Sequence, residues 1–209
     1  MQDQNTIIFD SLDSSGVTLK KALMLLNFKS DMRISAYSDK WRTLVMEVIK
    51  IKGFKKCIYD LGSDFFYMPK EDSISFELGT LPTDWKLEQL KSEHAKIVND
   101  NWPGSGNSSL IFFQRLIALN PSVGLFNDKG VLIGWCLKRE YGTIGSLHVT
   151  ENEHRKGYGS LLTKSLSIQL AQRDYDSIAN VIFGNVKSKN LFVKLGFKII
   201  DKMYRTQLE

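Results

Sequence analysis

The chain alternates between stretches with apolar residues three and four apart and shorter stretches where apolar residues run together between Gly, Pro, Asn and Asp. Residues 17–28, "VTLKKALMLLNF", place Leu19, Leu23 and Leu26 on one side of a short helix. From 41 to 79, "WRTLVMEVIK", "KKCIYDL", "DFFYMP" and "SISFELG" read as short strands broken at Gly53, Gly62 and Pro69. The first third is therefore expected to be β-rich. "GTLPTD", from Gly79 to Asp84, marks a boundary that divides the chain into 1–83 and 84–209. Beyond it Ser92 is expected to cap a helix through "EHAKIVNDNW", and "LIFFQRLIAL" forms a second, buried helix ending at Asn120-Pro121.

The rest of the chain carries a sharper pattern. "VGLFNDKGVLIGWCL" is two apolar runs around "NDKG", a hairpin, and "GTIGSLHV" is a further strand. The loop "EHRKGYGS" comes next. After it Tyr158, Leu161, Leu162, Leu166 and Leu170 form a stripe able to pack on a sheet, within a helix running from about Tyr158 to Arg173. A strand "SIANVIF", a short helix "SKNLFVKL" stopped at Gly196, and a last strand "FKIIDKMY" complete the series. No internal repeat is discernible.

Strand, "HRKGYGS", helix is an arrangement suited to phosphate. The first N–H groups of a helix have no partner within it, and the summed peptide dipoles place partial positive charge there. Gly157 and Gly159 remove Cβ atoms that would hold a diphosphate away, while Arg155 and Lys156 add attraction. The three glycines of a dinucleotide fingerprint are missing, as is the Gly-Lys-Ser/Thr of a P-loop. Taken alone, the loop serves equally well as a tight turn with solvated basic residues.

Composition narrows the setting. A net charge of +5, with no basic block interleaved with aromatics, gives no indication of a nucleic-acid surface and suits a protein that handles a small polyanion. The longest apolar runs are too short to span a bilayer, and the N-terminus lacks the pattern of a secretory signal. The expected compartment is the cytoplasm, with a mitochondrial one as the alternative. Cys57 and Cys136 read as buried free thiols. The oligomeric state is not legible.

"NPSVGLFNDKGVLIGWCL", "GSLHVTENEHRKGYGSLL" and "NVKSKNLFVKLGF", in that order, resemble the acetyl-CoA-dependent N-acyltransferase (GNAT) superfamily over residues 122–205. Within it they look most like the branch of glycine N-acyltransferases and FR47-like proteins. The resemblance implies a mixed α/β fold with a mostly antiparallel central sheet flanked by helices. It also implies acetyl-CoA or another acyl-CoA as co-substrate, a small amine or amino acid as acceptor, and no metal. Gly157 and Gly159 match the family's loop glycines, and the leading Arg/Gln position falls on His154. The strand Gly145–Val149, with Leu147 and Val149, would run beside the pantetheine, and the loop from His154 through Arg155, Lys156, Gly157, Tyr158 and Gly159 to Ser160 would take the pyrophosphate. Asn185, Ser188 and Phe192 match later family positions near the cofactor.

The catalytic positions depart from that pattern. Where many members carry a glutamate stands Thr143, and where many carry a tyrosine stands Phe192. His148 is the substitute base that the residues offer, since an imidazole titrates near 6.5. Asn185 is a second candidate, as a positioning group. Glu140, acting through water, and Tyr158, as a proton donor, are weaker ones. His94 reads as a helix residue with no catalytic partner, and a His148–His154 metal pair lacks a third ligand. An active transferase, a fold that binds acyl-CoA without turnover, and an interaction protein presenting its front region all remain open.

Overall fold

The computed structural model describes residues 6–54 and 57–209, which form two compact units. The first comprises Met1–Phe65, Val181–Val186 and Ile199–Glu209, and the second Phe66–Asn180 and Lys187–Lys198. The division runs through a strand rather than through the expected turn at 79–84.

The first unit holds strands β1 (Thr6–Ile8), β2 (Arg33–Ser38), most of β3 (Cys57–Met68) and, from the end of the chain, β9 (Lys198–Leu208). Their order is β1-β2-β9-β3, with β1 parallel to β2 and β9 antiparallel to it. Helices α1 (Val17–Leu25) and α2 (Arg42–Ile51) supply the rest of its core, from Leu19 and Leu23 to Val45, Val48 and Ile49. "WRTLVMEVIK" is thus a helix, not the expected strand. Trp41, Val45, Val48 and Ile49 are buried while Arg42, Thr43, Met46, Glu47 and Lys50 are exposed or nearly so, which is the 3.6-residue period of one covered face. In α1, Leu26 stands outside the helix as its extended C-cap instead of completing the stripe.

"KKCIYDL" and "DFFYMP" likewise differ from expectation. From Cys57 to Met68 they form one strand, and Gly62 does not break it. A Cβ there would lie 2.2 Å from the Phe183 ring, so the glycine admits a neighbour rather than a turn. "SISFELG" is no strand either. It follows from the short helix α3 (Lys70–Ile74) into irregular chain.

The second unit orders β4 (Lys86–Glu88), β5 (Ser122–Phe126), β6 (Leu132–Lys138), β7 (Ile144–Val149) and β8 (Ser177–Ile182) as β8-β7-β6-β5-β4. The ladders from β4 to β7 are antiparallel, and β8 joins in parallel. Helices α4 (Ala95–Asp100) and α5 (Asn107–Leu119) cover one face, where Val98, Phe113, Leu116 and Ile117 meet Trp135 and Leu137 of β6. Helix α6 (Tyr158–Ala171) covers the other with Leu161, Leu162, Leu166 and Leu170 buried. Because both faces are covered, β5 and β6 are buried along almost their whole length. Helix α7 (Val186–Lys194) follows β8. The fold is mixed α/β, with a large, mostly antiparallel sheet flanked by helices.

Ser92 is not the expected cap. It opens a 3-10 turn, Ser92–His94, ahead of α4, and the His94 Nδ1 accepts the Lys91 N–H at 2.9 Å. His94 is thus a capping residue, with its ring against Phe126 at 5.3 Å between centroids. Cys136 is a buried free thiol whose pKa burial pushes up to about 12, so it is inert at neutral pH. The side chain of Cys57 lies outside the described residues.

Candidate functional site

The start of α6 gathers the loop residues singled out in the sequence. Gly157 caps the helix with φ 87°, a left-handed conformation that costs a side-chain-bearing residue about 1 kcal/mol or more. The first helical bond is donated by the Leu161 N–H to the Gly157 carbonyl at 3.1 Å. Ahead of it, the N–H groups of Tyr158, Gly159 and Ser160 find no carbonyl and no capping side chain among the described residues. Three such donors in front of a fourteen-residue helix attract an anion through both hydrogen bonds and the helix dipole.

The two glycines differ in their reasons. Gly157 is required by its dihedral. At Gly159 a Cβ would meet only Leu147 at 3.9 Å and Leu191 at 4.0 Å, ordinary contacts, so the protein's own packing does not require glycine there. A glycine that neither dihedral nor packing explains, beside unpaired N–H groups, is what close approach of a ligand would require.

The loop's other residues divide into ties and free charge. The His154 ring Nε2 lies 2.7 Å from the Val149 carbonyl oxygen and pins the loop to the end of β7. Lys156 pairs with Glu153 at 2.9 Å in an exposed contact that shares its charge. Arg155, held at φ 63°, makes no ion pair among the described residues and is the loop's uncommitted cation. The Tyr158 ring packs at a tilt against Trp85, with centroids 5.3 Å apart, so packing accounts for it.

Next to this loop, β7 has an open side. It pairs with β8 at Ile144↔Ala179, and no further register continues along Gly145–Val149. On its other side Trp135 faces His148 and Leu137 faces Gly145, so Ser146 and Leu147 together oppose Cys136. That is a β-bulge, and Ser146 sits in it at φ 49°. Nothing in "IGSLHV" marks the bulge, since the segment reads as a regular strand.

His148 lies flat on Trp135, centroids 4.4 Å apart and planes 18° from parallel, on the α4/α5 face. Burial, and secondarily the charge of His154, lowers its pKa below the usual imidazole value. It is therefore neutral at pH 7, as a proton acceptor must be. Glu140 is held by both its oxygens to Arg139, at 2.9 and 3.1 Å. Thr143 is buried just before β7. Phe192, expected beside the cofactor, is 5% exposed and packs between Phe66 and Phe197 at 5.4 and 5.0 Å; its ring belongs to the core.

Ser188 is the third residue of α7, and Asn185 immediately precedes the helix. The Asn185 N–H donates to the Ile182 carbonyl at 3.0 Å in a turn where Gly184 has φ 86°. Asn185 belongs to the first compact unit, whereas β7, the loop and α6 belong to the second. Among the described residues no group of three or more His, Cys, Asp or Glu is arranged to hold a metal ion. No helix among them is long and apolar enough to cross a membrane.

The comparisons with known proteins converge on the same segment. Residues 122–206 match the family described as FR47-like protein. A structural neighbour, the tandem GNAT protein of the clavulanic acid biosynthesis pathway, superposes with a TM-score of 0.63 at 12% identity, over 98% of this chain and 75% of that one. The chain has the GNAT fold, and residues 122–206 are similar to the FR47-like family. A Drosophila protein of known structure is nearer in shape, with a TM-score of 0.85 at 23% identity over 97% of this chain and 70% of that one. Human glycine N-acyltransferase-like protein 1B is 26% identical over 110 residues, 52% of this chain and 36% of its own length. The chain thus spans little more than a third of that relative. The FR47-like segment contains the bulged strand, the loop and α6 in full.

Proposed function

We propose that the protein transfers an acyl group from acyl-CoA to the amine of a small molecule or amino acid, glycine being the acceptor that the human relative's name suggests. The observation that carries this reading is the set of unpaired N–H groups at Tyr158, Gly159 and Ser160 beside the open edge of β7. The N–H groups and Arg155 would hold the diphosphate, and the edge from Gly145 to Val149 would pair with the pantetheine arm. When bound, acyl-CoA supplies a thioester carbonyl activated toward an amine. An attacking ammonium must first lose a proton, and His148, neutral and on the strand next to the loop, is the group able to take it. Positioning two reactants together contributes several kcal/mol, about 7–11 in ideal cases, so a weak base suffices.

A second reading follows from Thr143 and Phe192, both buried and neither ionisable where the family often places an acid or base. In it the fold binds acyl-CoA as a sensor without turnover. Release of free thiol from acetyl-CoA across a panel of amines, followed with a thiol reagent, separates the two.

The test of the common core is calorimetric titration with CoA. Gly159→Ala should fold at least as stably as the wild type, because alanine favours helices over glycine by about 1 kcal/mol. It should nonetheless bind CoA about tenfold more weakly, because the added methyl group narrows the approach of a diphosphate to the start of the helix. Equal affinity in the two proteins would remove the loop from the binding site.

A further inference from the structure

The bulge in β7 has a holder. The Arg139 Nη1 donates to the Ser146 Oγ at 3.0 Å. The same guanidinium is gripped through Nε and Nη2 by Glu140, at 2.9 and 3.1 Å, in a two-point pair that fixes the plane of the fork. Trp102 and Phe112 stand 5.1 and 5.2 Å from its central carbon, within cation–π range. Its aliphatic stem crosses Gly145, where a Cβ would come within 3.0 Å of Cγ. The side chain is only 16% exposed. Every part of Arg139 is therefore engaged, and what it reaches at its tip is the one residue of β7 in the left-handed region.

Serine does not favour φ 49°. A bulge of this kind ordinarily takes glycine at the left-handed position. A serine there needs its side chain held, and the half-buried charge that holds it is itself paired with Glu140. The rotation at Ser146 sets the direction of the peptide groups on either side of it, hence where the N–H groups of the open β7 edge point.

We propose that Arg139 is a positioning residue: by clamping Ser146 it locks the β7 bulge in the shape that presents the strand's open edge to the acyl thioester. This rests on the acyl-CoA reading of the same strand. It assigns Arg139 no contact with the ligand, and Glu140 serves as the clamp's counter-charge, not as a base.

Four proteins test it: wild type, Arg139→Met, Ser146→Gly and the double variant, each titrated with CoA and with acetyl-CoA and unfolded in urea. Methionine keeps an aliphatic stem across Gly145, and glycine adopts positive φ without help. Because the pantetheine arm of CoA pairs with the same edge, CoA affinity should fall in Arg139→Met and recover in the double variant, with acetyl-CoA affinity falling further. The wild type should prefer acetyl-CoA to CoA, and Arg139→Met should lose that preference by about fivefold, the size of one net hydrogen bond. The double variant should regain it. The urea midpoint should fall for Arg139→Met, and the same change should cost clearly less in the Ser146→Gly background. An acetyl preference that survives Arg139→Met, or that the second substitution does not restore, overturns the clamp. So does its absence in the wild type, which would leave the CoA site standing. No binding of CoA to the wild type overturns the acyl-CoA reading, and the clamp's role with it, while the urea measurements still judge the Arg139–Ser146 contact.

Discussion

His148 connects the chemistry of one side chain to a measurable pH dependence of stability. Its folded-state pKa is depressed, mainly by burial against Trp135, whereas in the unfolded chain it titrates near 6.5. Below that value the unfolded state binds the proton more readily, so the native state's advantage is complete above about pH 6.5 and is lost as the pH falls through the folded pKa. Urea midpoints between pH 5 and 8 should therefore decline on the acid side for the wild type. They should decline less for His148→Phe, which keeps a ring on Trp135 but cannot titrate. Phe192 makes the opposite kind of prediction. Its ring fills a core between Phe66 and Phe197, so Phe192→Ala should destabilise the fold by about 3–5 kcal/mol in urea unfolding. A small loss there would show that the ring is not core. Of these residues the sequence marks Gly157, Gly159 and Arg155, because loop chemistry is local. It cannot mark Arg139 or Ser146, whose meeting depends on how β6 and β7 pair.

Helices and strands are legible where one period is long and unmixed. The stripe of α6 has five apolar positions three and four apart, and it predicts the helix to within two residues of its observed end. In α2 the same spacing is present at Val45, Val48 and Ile49, but the β-branched residues between 42 and 51 suggest a strand, and packing of one face overrides that preference. An order hidden in the sequence also emerges. Strand β2, a 3-10 turn at Asp39–Trp41, helix α2 and strand β3 follow one another as β7, a 3-10 turn at Glu151–Glu153, α6 and β8 do. Both leading strands are bulged, β2 between Ile34 and Tyr37 with Ala36 at φ 57°. Their sequences share nothing that the eye can align, because the backbone path tolerates many side-chain sets.

That recurrence bears on how many equivalents of CoA the proposed reading allows. In the first unit β9 pairs with β2 from Arg33 to Ser38, and β1 covers Arg33–Ser35 on the other side, so only the three residues Ala36–Ser38 keep an uncovered edge. In the second, β7 keeps one along Gly145–Val149. Calorimetric titration with CoA should therefore saturate at one equivalent per chain. Two equivalents would mean that β2 also serves as a site.

What the amino-acid order settled unaided was whatever depends on neighbours in the chain: the β5–β6 hairpin, the α6 stripe, the glycine turn that opens α6 and the resemblance carried by residues 122–205. Three-dimensional packing alone decided the rest. It made α2 a helix, paired β2 with a strand from the far end of the chain, and set a half-buried arginine to hold a serine in a conformation that serine avoids. The physical reason is the same in each case. Local preferences are worth tenths of a kcal/mol to about one, whereas burying an apolar face or satisfying a buried charge is worth several. Those stronger forces act only once distant segments meet.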